Sequence, residues 1–159
     1  MSITTRPLTP ADGERAGNIF FDAVRHGTAD VYSLEQRLAW GGKAPNPSGW
    51  RQKFQNISGF AAEIDGDMVG FMTLDADGYI DLAFVQSDMV GRGVGRALYD
   101  VVEARSVAEG IQRLTTEASK KAKPFFERMG WQVDQEQVVV KNETPLTNFK
   151  MSKSLTVVP

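Results

Sequence analysis

The chain of 159 residues has no cysteine and only one histidine, His26. Without cysteine it forms no disulfide, offers no thiolate nucleophile and builds no zinc site with cysteine ligands. One histidine is too few for a histidine-rich metal centre, although a site made of carboxylates alone stays open. We therefore expect neither a cysteine-based mechanism nor a metal cofactor.

Long apolar runs and an excess of one charge are also missing. No segment reaches the roughly 18 consecutive apolar residues that a membrane-spanning helix needs, and residues 1–6 lack the apolar core of a signal peptide. The 18 Lys and Arg residues against 20 Asp and Glu residues give a net charge of −2, which provides no broad basic surface for duplex nucleic acid. We expect a cytoplasmic protein that binds no membrane and no nucleic acid, either a small enzyme or a small-molecule binding module.

Apolar residues make up 42% of the chain, which is enough for the core of one domain. No repeat or linker divides the sequence, so a single domain over residues 1–159 is predicted. Apolar spacing predicts an α+β fold, with a mixed, mostly antiparallel central sheet flanked by helices. Predicted strands cover residues 3–7, 60–64, 68–74, 79–85, 113–118, 131–140 and 147–152. Predicted helices cover residues 10–26, 34–40, 48–55, 94–109 and 121–129.

Three alternating glycines, Gly91, Gly93 and Gly95, stand between a predicted strand and a predicted helix. Glycine permits backbone conformations that side chains forbid, and it lets a ligand lie directly on the main chain. The first turn of a helix has unpaired N–H groups and a partial positive charge, to which Arg92 and Arg96 add formal charge. Together these features predict a binding site for a phosphate or pyrophosphate.

The spacing of these glycines excludes two common phosphate-binding loops. The Walker pattern requires a glycine where Arg96 stands, and the dinucleotide pattern G-x-G-x-x-G meets Arg96 or Leu98 in place of its last glycine. A helix start without a ligand would gain nothing from three glycines, each of which weakens a helix by about 1 kcal/mol relative to alanine. A different phosphate-containing ligand is therefore expected.

Residues 90–95 (VGRGVG) resemble motif A of the GCN5-related N-acetyltransferases, whose pattern [Q/R]-x-x-G-x-[G/A] follows a strand and opens a helix. The glycines match, and Val90 stands where the family has Gln or Arg. Residues 122–131 (AKPFFERMGW) are similar to a second family segment, A-x-x-F-Y-x-x-x-G-F. The order of predicted elements also matches the fold of this family, the GNAT fold, over nearly the whole chain.

The resemblance implies transfer of an acetyl group from acetyl-CoA to a primary amine of a small molecule, by direct attack. It also implies that the strands at 79–85 and 113–118 part to admit the pantetheine arm, and that the amides of residues 91–97 take the pyrophosphate. A backbone N–H near Phe84 or Val85 would polarise the thioester carbonyl. The cofactor-binding residues that it implies are Ala83, Phe84, Val85, Val90, Gly91, Arg92, Gly93, Val94, Gly95, Arg96, Ala97, Ser119, Ala122, Phe125 and Phe126.

Two positions depart from the family pattern. Phe126 stands where the family often has a tyrosine that protonates the leaving thiolate, and Ser119 stands where an asparagine often meets the cofactor. Serine can still form hydrogen bonds, but phenylalanine has no proton to give. This departure keeps a second interpretation open, a non-catalytic sensor that binds CoA or acyl-CoA on the same fold.

Asp81 and Tyr79 are the candidate catalytic residues. Asp81 lies in the apolar run 79–84, and a carboxylate in a buried strand is costly unless it is used or paired. We expect it to be the general base or to bind the acceptor, with a salt-bridged structural residue as the alternative. Tyr79 shares its strand face and is either its partner, a replacement acid or a core aromatic. Glu63, at a strand end, is a weaker candidate for the base.

Residues before position 58 carry the acceptor pocket in the resembled family. His26, Tyr32, Trp40 and Trp50 are therefore expected to contact the acceptor, although capping or core packing would also explain them. Lys120, Lys121 and Lys123 form a basic group that is either a solvated face or a contact for the 3′-phosphate of CoA. The oligomeric state stays open, with a homodimer through exposed strands as one option.

Overall fold

The computed structural model describes residues 2–155, so Met1 and residues 156–159 of the predicted domain lie outside the described part of the chain. The strands are β1 (Ile3–Pro7), β2 (Gly59–Ile64), β3 (Asp67–Thr73), β4 (Tyr79–Ile80), β5 (Ala83–Val85), β6 (Arg113–Ser119), β7 (Gln132–Lys141) and β8 (Thr144–Ser154). The helices are α1 (Gly13–Arg25), α2 (Leu34–Gly41), α3 (Pro47–Lys53), α4 (Val94–Ala108) and α5 (Lys123–Arg128).

The strands form two four-stranded sheets, in the orders β1-β2-β3-β5 and β4-β6-β8-β7. The β4–β6 pair is parallel, and the other strand pairs are antiparallel. The predicted α+β fold with a mixed, mostly antiparallel sheet is thus confirmed, and the observed strands begin and end within a few residues of their predicted positions, with one exception.

The exception is the predicted strand at 79–85, which is wrong as a single strand. Its first part, β4, pairs with β6, whereas its second part, β5, pairs with β3. Hydroxyl groups hold the chain on both sides of the break: Thr116 Oγ1 donates to the carbonyl of Ile80 at 2.7 Å, and the N–H of Leu82 donates to Thr73 Oγ1 at 2.9 Å. The two halves of the run therefore belong to different sheets.

The break also changes which way the side chains of this run point. Regular alternation would put Ile80 and Leu82 on one face. Instead, Ile80 packs in the same cluster as Phe60, and Leu82 packs in a second cluster with Ala61, on the opposite face of β2. Asp81, between them, is exposed rather than buried as the apolar run suggested.

Helices cover both faces of the first sheet. On one face, α4 buries Val94, Leu98 and Val102, each at most 1% exposed, against the strands. On the other face, α1 buries Ala16 and Ile19 with residues of α3 and β3. This arrangement fixes the start of α4 beside β5, which positions the glycines next to the break.

Local signals in the sequence explain where the helices begin. Ser33 and Gln36 form the predicted capping box, with the Gln36 N–H donating to Ser33 Oγ at 3.1 Å and the Ser33 N–H donating to Gln36 Oε1 at 2.9 Å. Pro10 opens a short 3-10 turn (Pro10–Asp12) that leads into α1. Among residues 2–155, no helix has both the length and the apolar character that crossing a bilayer requires.

Candidate active site

A gap opens between β5 and β6 just after the break. The β4–β6 ladder ends at the pair formed by Ile80 and Thr116, and beyond that pair β5 bonds to β3 while β6 bonds to β8. Residues 83–85 and 117–119 therefore flank an opening in the sheet. The strands part in the region where the resemblance implied that they would.

Backbone hydrogen bonds show which groups of β5 face this gap. The carbonyl of Leu82 and the N–H of Gln86 both bond to β3 residues, at 2.8 Å each. Because antiparallel strands bond to one partner through alternate residues, Ala83 and Val85 turn their N–H and C=O groups away from β3. These groups are the ones available to a ligand that lies between β5 and β6.

Two cavities meet at this gap. One, of about 660 Å³, contains the glycines that precede α4, and we call it the glycine-loop cavity. The other, of about 600 Å³, contains Asp81 and Glu117, and we call it the carboxylate cavity. The residues that line both cavities, and so mark their junction, are Trp40, Ala83, Phe84, Ser119, Ala122 and Phe126.

The glycine-loop cavity has an anion site built from backbone. Gly91 and Gly93 have φ angles of 84° and 90°, a region that favours glycine. The first hydrogen bond inside α4 runs from the Ala97 N–H to the Gly93 carbonyl at 3.0 Å. The N–H groups of residues 94–96 therefore have no partner inside the helix, and the positive end of its dipole lies beside them.

The same hydrogen bond shows that the predicted phosphate-binding amides, those of residues 91–97, extend one residue too far. The Ala97 N–H is already bonded within α4, so it is not a free donor for a ligand. The predicted cofactor-binding residues all line the glycine-loop cavity except Arg92, Val94 and Ala97. The side chain of Val94 is only 1% exposed because it packs in the core beneath α4.

A carboxylate that the sequence analysis did not single out holds the loop before the glycines. Asp22 of α1 accepts hydrogen bonds from the Ser87 N–H at 2.7 Å and from Ser87 Oγ at 3.0 Å. Arg15, also on α1, donates to Gln86 Oε1 at 2.6 Å. These contacts fix the segment between β5 and the glycines against α1. Local sequence patterns do not reveal them because the partners lie 65 and 71 residues apart.

The three lysines at the start of α5, Lys120, Lys121 and Lys123, do not all face the same surroundings. Lys120 and Lys121 line the glycine-loop cavity, and Lys121 forms a 2.8 Å ion pair with Asp30 of the loop after α1. Lys123 instead lies over the Phe149 ring, 5.2 Å from its centroid, and lines neither cavity. Two of the three lysines are thus placed where they can meet an anionic ligand.

The carboxylate cavity has two acidic side chains where β4 and β6 part. Asp81 and Glu117 each directly follow a residue of the last β4–β6 pair, Ile80 and Thr116, and both are exposed to the cavity. Tyr79 lies beside them, and burial followed by the charges of Glu117 and Asp81 raises the pKa of its phenol to about 12. Tyr79 therefore keeps its proton at any ordinary assay pH. Nothing in the sequence distinguishes Glu117, because in an alternating strand it resembles an ordinary surface residue.

Aromatic side chains line the same cavity. Of the four residues predicted to contact the acceptor, Tyr32, Trp40 and Trp50 line this cavity, whereas His26 is exposed at the end of α1 and lines neither cavity. Trp50 is 8% exposed and packs on Phe20 with 5.0 Å between ring centroids. Trp50 is thus largely a core residue, and Trp40 presents more of its ring to the cavity.

The Tyr32 hydroxyl has a structural role at the junction between the helices and the second sheet. It donates to the Thr147 carbonyl at 2.6 Å and accepts the Lys120 N–H at 3.0 Å. Tyr32 is 4% exposed, and burial raises the pKa of its phenol. The hydroxyl joins β8 to the segment that lines both cavities.

Tyr32→Phe is expected to lower the free energy of unfolding by about 1–3 kcal/mol, because it leaves two backbone groups without their partner. Urea unfolding followed by circular dichroism measures this loss. Ligand binding in the glycine-loop cavity should weaken as well, since residues 119–121 line that cavity. A variant as stable as the wild type would show that the two hydrogen bonds contribute nothing net.

Glu63, the weaker candidate for the base, lies outside both cavities and forms an ion pair with Arg6 at 3.2 Å.

Phe126 is 2% exposed and packs on Trp131, with 4.8 Å between ring centroids, at the edge of the junction. Ser119 Oγ accepts the Ala122 N–H at 3.1 Å, which leaves its own proton available to a ligand at the junction.

Comparisons with known proteins agree with this architecture. The acetyltransferase (GNAT) domain family matches residues 28–153. The uncharacterized N-acetyltransferase YafP of Escherichia coli (strain K12) is 33% identical over 150 residues, which cover 94% of this chain and 95% of that protein.

Solved structures agree as well. A crystal structure of a GCN5-related N-acetyltransferase from Rhodopseudomonas palustris is 34% identical, with a TM-score of 0.89 over 98% of this chain and 97% of that one. The paia N-acetyltransferase from Thermoplasma acidophilum, in complex with coenzyme A, shares the fold at 19% identity, with a TM-score of 0.73 over 97% of this chain and 99% of that one. The chain thus belongs to the GNAT superfamily and is an N-acetyltransferase.

Proposed function

We propose that this enzyme moves the acetyl group of acetyl-CoA directly to a primary amine of a small molecule. The observation that carries the proposal is the meeting of two cavities at a gap between strands. In this proposal acetyl-CoA enters from the glycine-loop cavity and the amine enters from the carboxylate cavity. Their reacting atoms meet at the junction, beside Phe84 and Ser119.

The glycine-loop cavity fits the shape and charge of a diphosphate. A Cβ on Gly95 would lie 3.2 Å from Phe125 Cε1, so a side chain there has little room beside the ligand. The free N–H groups of residues 94–96 and the Arg96 guanidinium supply hydrogen bonds and positive charge. The outward groups of Ala83 and Val85 can bond to the amides of the pantetheine arm.

The carboxylate cavity supplies what the amine needs. Asp81 and Glu117 attract an ammonium ion, and one of them takes its proton, directly or through water. The neutral nitrogen then attacks the thioester carbonyl carbon, whose oxygen is polarised by a backbone N–H of β5. A C–N bond forms, the C–S bond breaks, and the sulfur leaves as a thiolate. The nitrogen, positively charged after the attack, loses its second proton to water or to the departing thiolate.

The leaving thiolate does not depend on a strong acid. A thiol has a pKa of about 8.5, so its thiolate is stable enough to leave near neutral pH. Phe126 gives no proton, and Tyr79, with a pKa of about 12, is a weak acid for this step. The Ser119 hydroxyl can donate a hydrogen bond to the sulfur as charge develops there.

The test is release of CoA thiol from acetyl-CoA in the presence of a library of primary amines. We expect release that depends on the amine, and micromolar binding of acetyl-CoA by calorimetry. Phe126 is the observation that favours a non-catalytic sensor instead. A sensor would bind CoA with similar affinity and release no thiol with any amine, which would contradict the proposal.

A further inference from the structure

We propose that the acceptor is an arylalkylamine, a molecule with one positive charge and an apolar, aromatic body. This inference rests on the acetyl-transfer function proposed above and names the class of amine that the carboxylate cavity takes. The walls of the cavity, the balance of its charges and its polar side chains support it, and together they distinguish this class from polyamines and amino sugars.

The first support is a continuous aromatic wall. Phe20, Trp40 and Phe84 are half-buried, and each ring touches the other two, with centroids 5.0 to 6.2 Å apart. Buried rings stand behind them, so the wall is held rigidly. Aromatic side chains bind a flat apolar body through both area burial and ring geometry. The β7–β8 hairpin adds Val139 and Leu146, which lie opposite each other in the strand register, to the same cavity.

The second support is the balance of charge. Asp81 and Glu117 attract one ammonium at the junction end, where β4 and β6 part. Lys53 and Lys141 also line the cavity. A polyamine would bring its further positive charges into a cavity that already holds two lysines, and like charges repel. A single ammonium matches the carboxylates without this penalty.

The third support concerns the polar side chains. Three asparagines line the cavity, and each is already hydrogen-bonded within the protein: Asn46 accepts the Gly49 N–H at 3.2 Å, Asn142 donates to the Ala39 carbonyl at 2.7 Å, and Asn148 accepts from Gln137 at 2.9 Å. One polar group of each asparagine is thus taken by the protein, which leaves an amino sugar fewer partners than three free amides would offer. Burying hydroxyls without partners is unfavourable.

The experiment compares phenethylamine, glucosamine and spermidine as acceptors at saturating acetyl-CoA. Rates of thiol release are corrected for the unprotonated fraction of each amine. We expect kcat/KM for phenethylamine to exceed that of both others by at least about tenfold. An equal or higher value for spermidine or glucosamine overturns the arylalkylamine class but leaves acetyl transfer in place. No release with any amine contradicts the acetyl-transfer function itself.

Two matched pairs of variants test the wall and the charges separately. Phe20→Leu should raise the KM for phenethylamine roughly tenfold and change the KM for acetyl-CoA less than about twofold. Its control is Phe21→Leu, the next residue of α1, which lines neither cavity and should change neither constant. Equal effects of the two variants would contradict the aromatic wall.

Glu117→Gln tests the ammonium site. Because Glu117 is exposed, this substitution should not disturb folding as a substitution in the core could. We expect kcat/KM for phenethylamine to fall by about tenfold or more. Glu136→Gln, an exposed glutamate on β7 outside both cavities, should leave it unchanged. If both variants keep wild-type kcat/KM, the carboxylate does not select the acceptor.

Discussion

The Gly95→Glu protein is expected to bind acetyl-CoA at least about 100-fold more weakly than the wild type, a loss of about 2.7 kcal/mol in binding free energy. Gly95 lies in the first turn of α4 and lines the glycine-loop cavity. A glutamate there puts a negative charge where the diphosphate is proposed to lie and competes for the same backbone N–H groups. Calorimetry with acetyl-CoA measures the loss.

The same substitution should leave the fold intact. Glutamate is favoured near the N-terminus of a helix, and replacing glycine in a helix gains about 0.5–1 kcal/mol. The contact with Phe125 at 3.2 Å opposes this gain, but it involves the edge of a half-buried ring. Gly93 is a less suitable position because its φ of 90° would strain any side chain.

Ala104→Glu is the matched control. It adds the same charge to an exposed position of the same helix, outside the glycine-loop cavity. We expect wild-type affinity for acetyl-CoA and a similar melting temperature. Normal binding by a folded Gly95→Glu protein would instead show that the diphosphate does not lie at the start of α4.

The glycine loop could be predicted from the sequence because its signals are local. Gly91, Gly93 and Gly95 sit at fixed spacing before an amphipathic helix, and the capping box at Ser33 is equally local. The break at Asp81 could not be predicted in this way. The run YIDLAFV is strand-like apart from Asp81, and its division depends on which neighbouring strand offers hydrogen bonds to each half.

The environments of the side chains in the carboxylate cavity are also hard to predict from the sequence. Asp81 stands out because it interrupts an apolar run, yet it is exposed to the cavity rather than buried. The sequence does not distinguish Glu117 from other polar residues of an alternating strand, and only the β4–β6 register brings it level with Asp81. His26 is the opposite case: the chemistry of histidine makes it a candidate, but it lines neither cavity.

These features place the two halves of the proposed reaction on different sheets. The first sheet, through β5 and α4, carries the groups suited to acetyl-CoA. The second sheet, through β6 and the β7–β8 hairpin, carries Glu117 and part of the acceptor wall. The chain crosses from one sheet to the other at Asp81 and Leu82, so a substitution at Asp81 should affect the amine side of the reaction more than the acetyl-CoA side.

Asp81→Asn is therefore expected to lower kcat by about 100-fold or more, the usual contribution of a general base, and to change the KM for acetyl-CoA less than about twofold. Raising the pH should restore part of the lost rate in Asp81→Asn, because more of the amine is then unprotonated and needs no base. Initial rates at several pH values, with acetyl-CoA saturating, measure both effects.

Asp67→Asn controls for the loss of one surface carboxylate, because Asp67 is exposed at the β2–β3 turn and lines neither cavity. It should keep the wild-type rate and pH profile. Glu117→Gln separates the two neighbouring carboxylates: on our assignment it raises the KM for the amine and leaves kcat close to the wild-type value. If Glu117→Gln instead loses kcat that high pH restores, and Asp81→Asn does not, Glu117 is the base and Asp81 only helps to hold the ammonium.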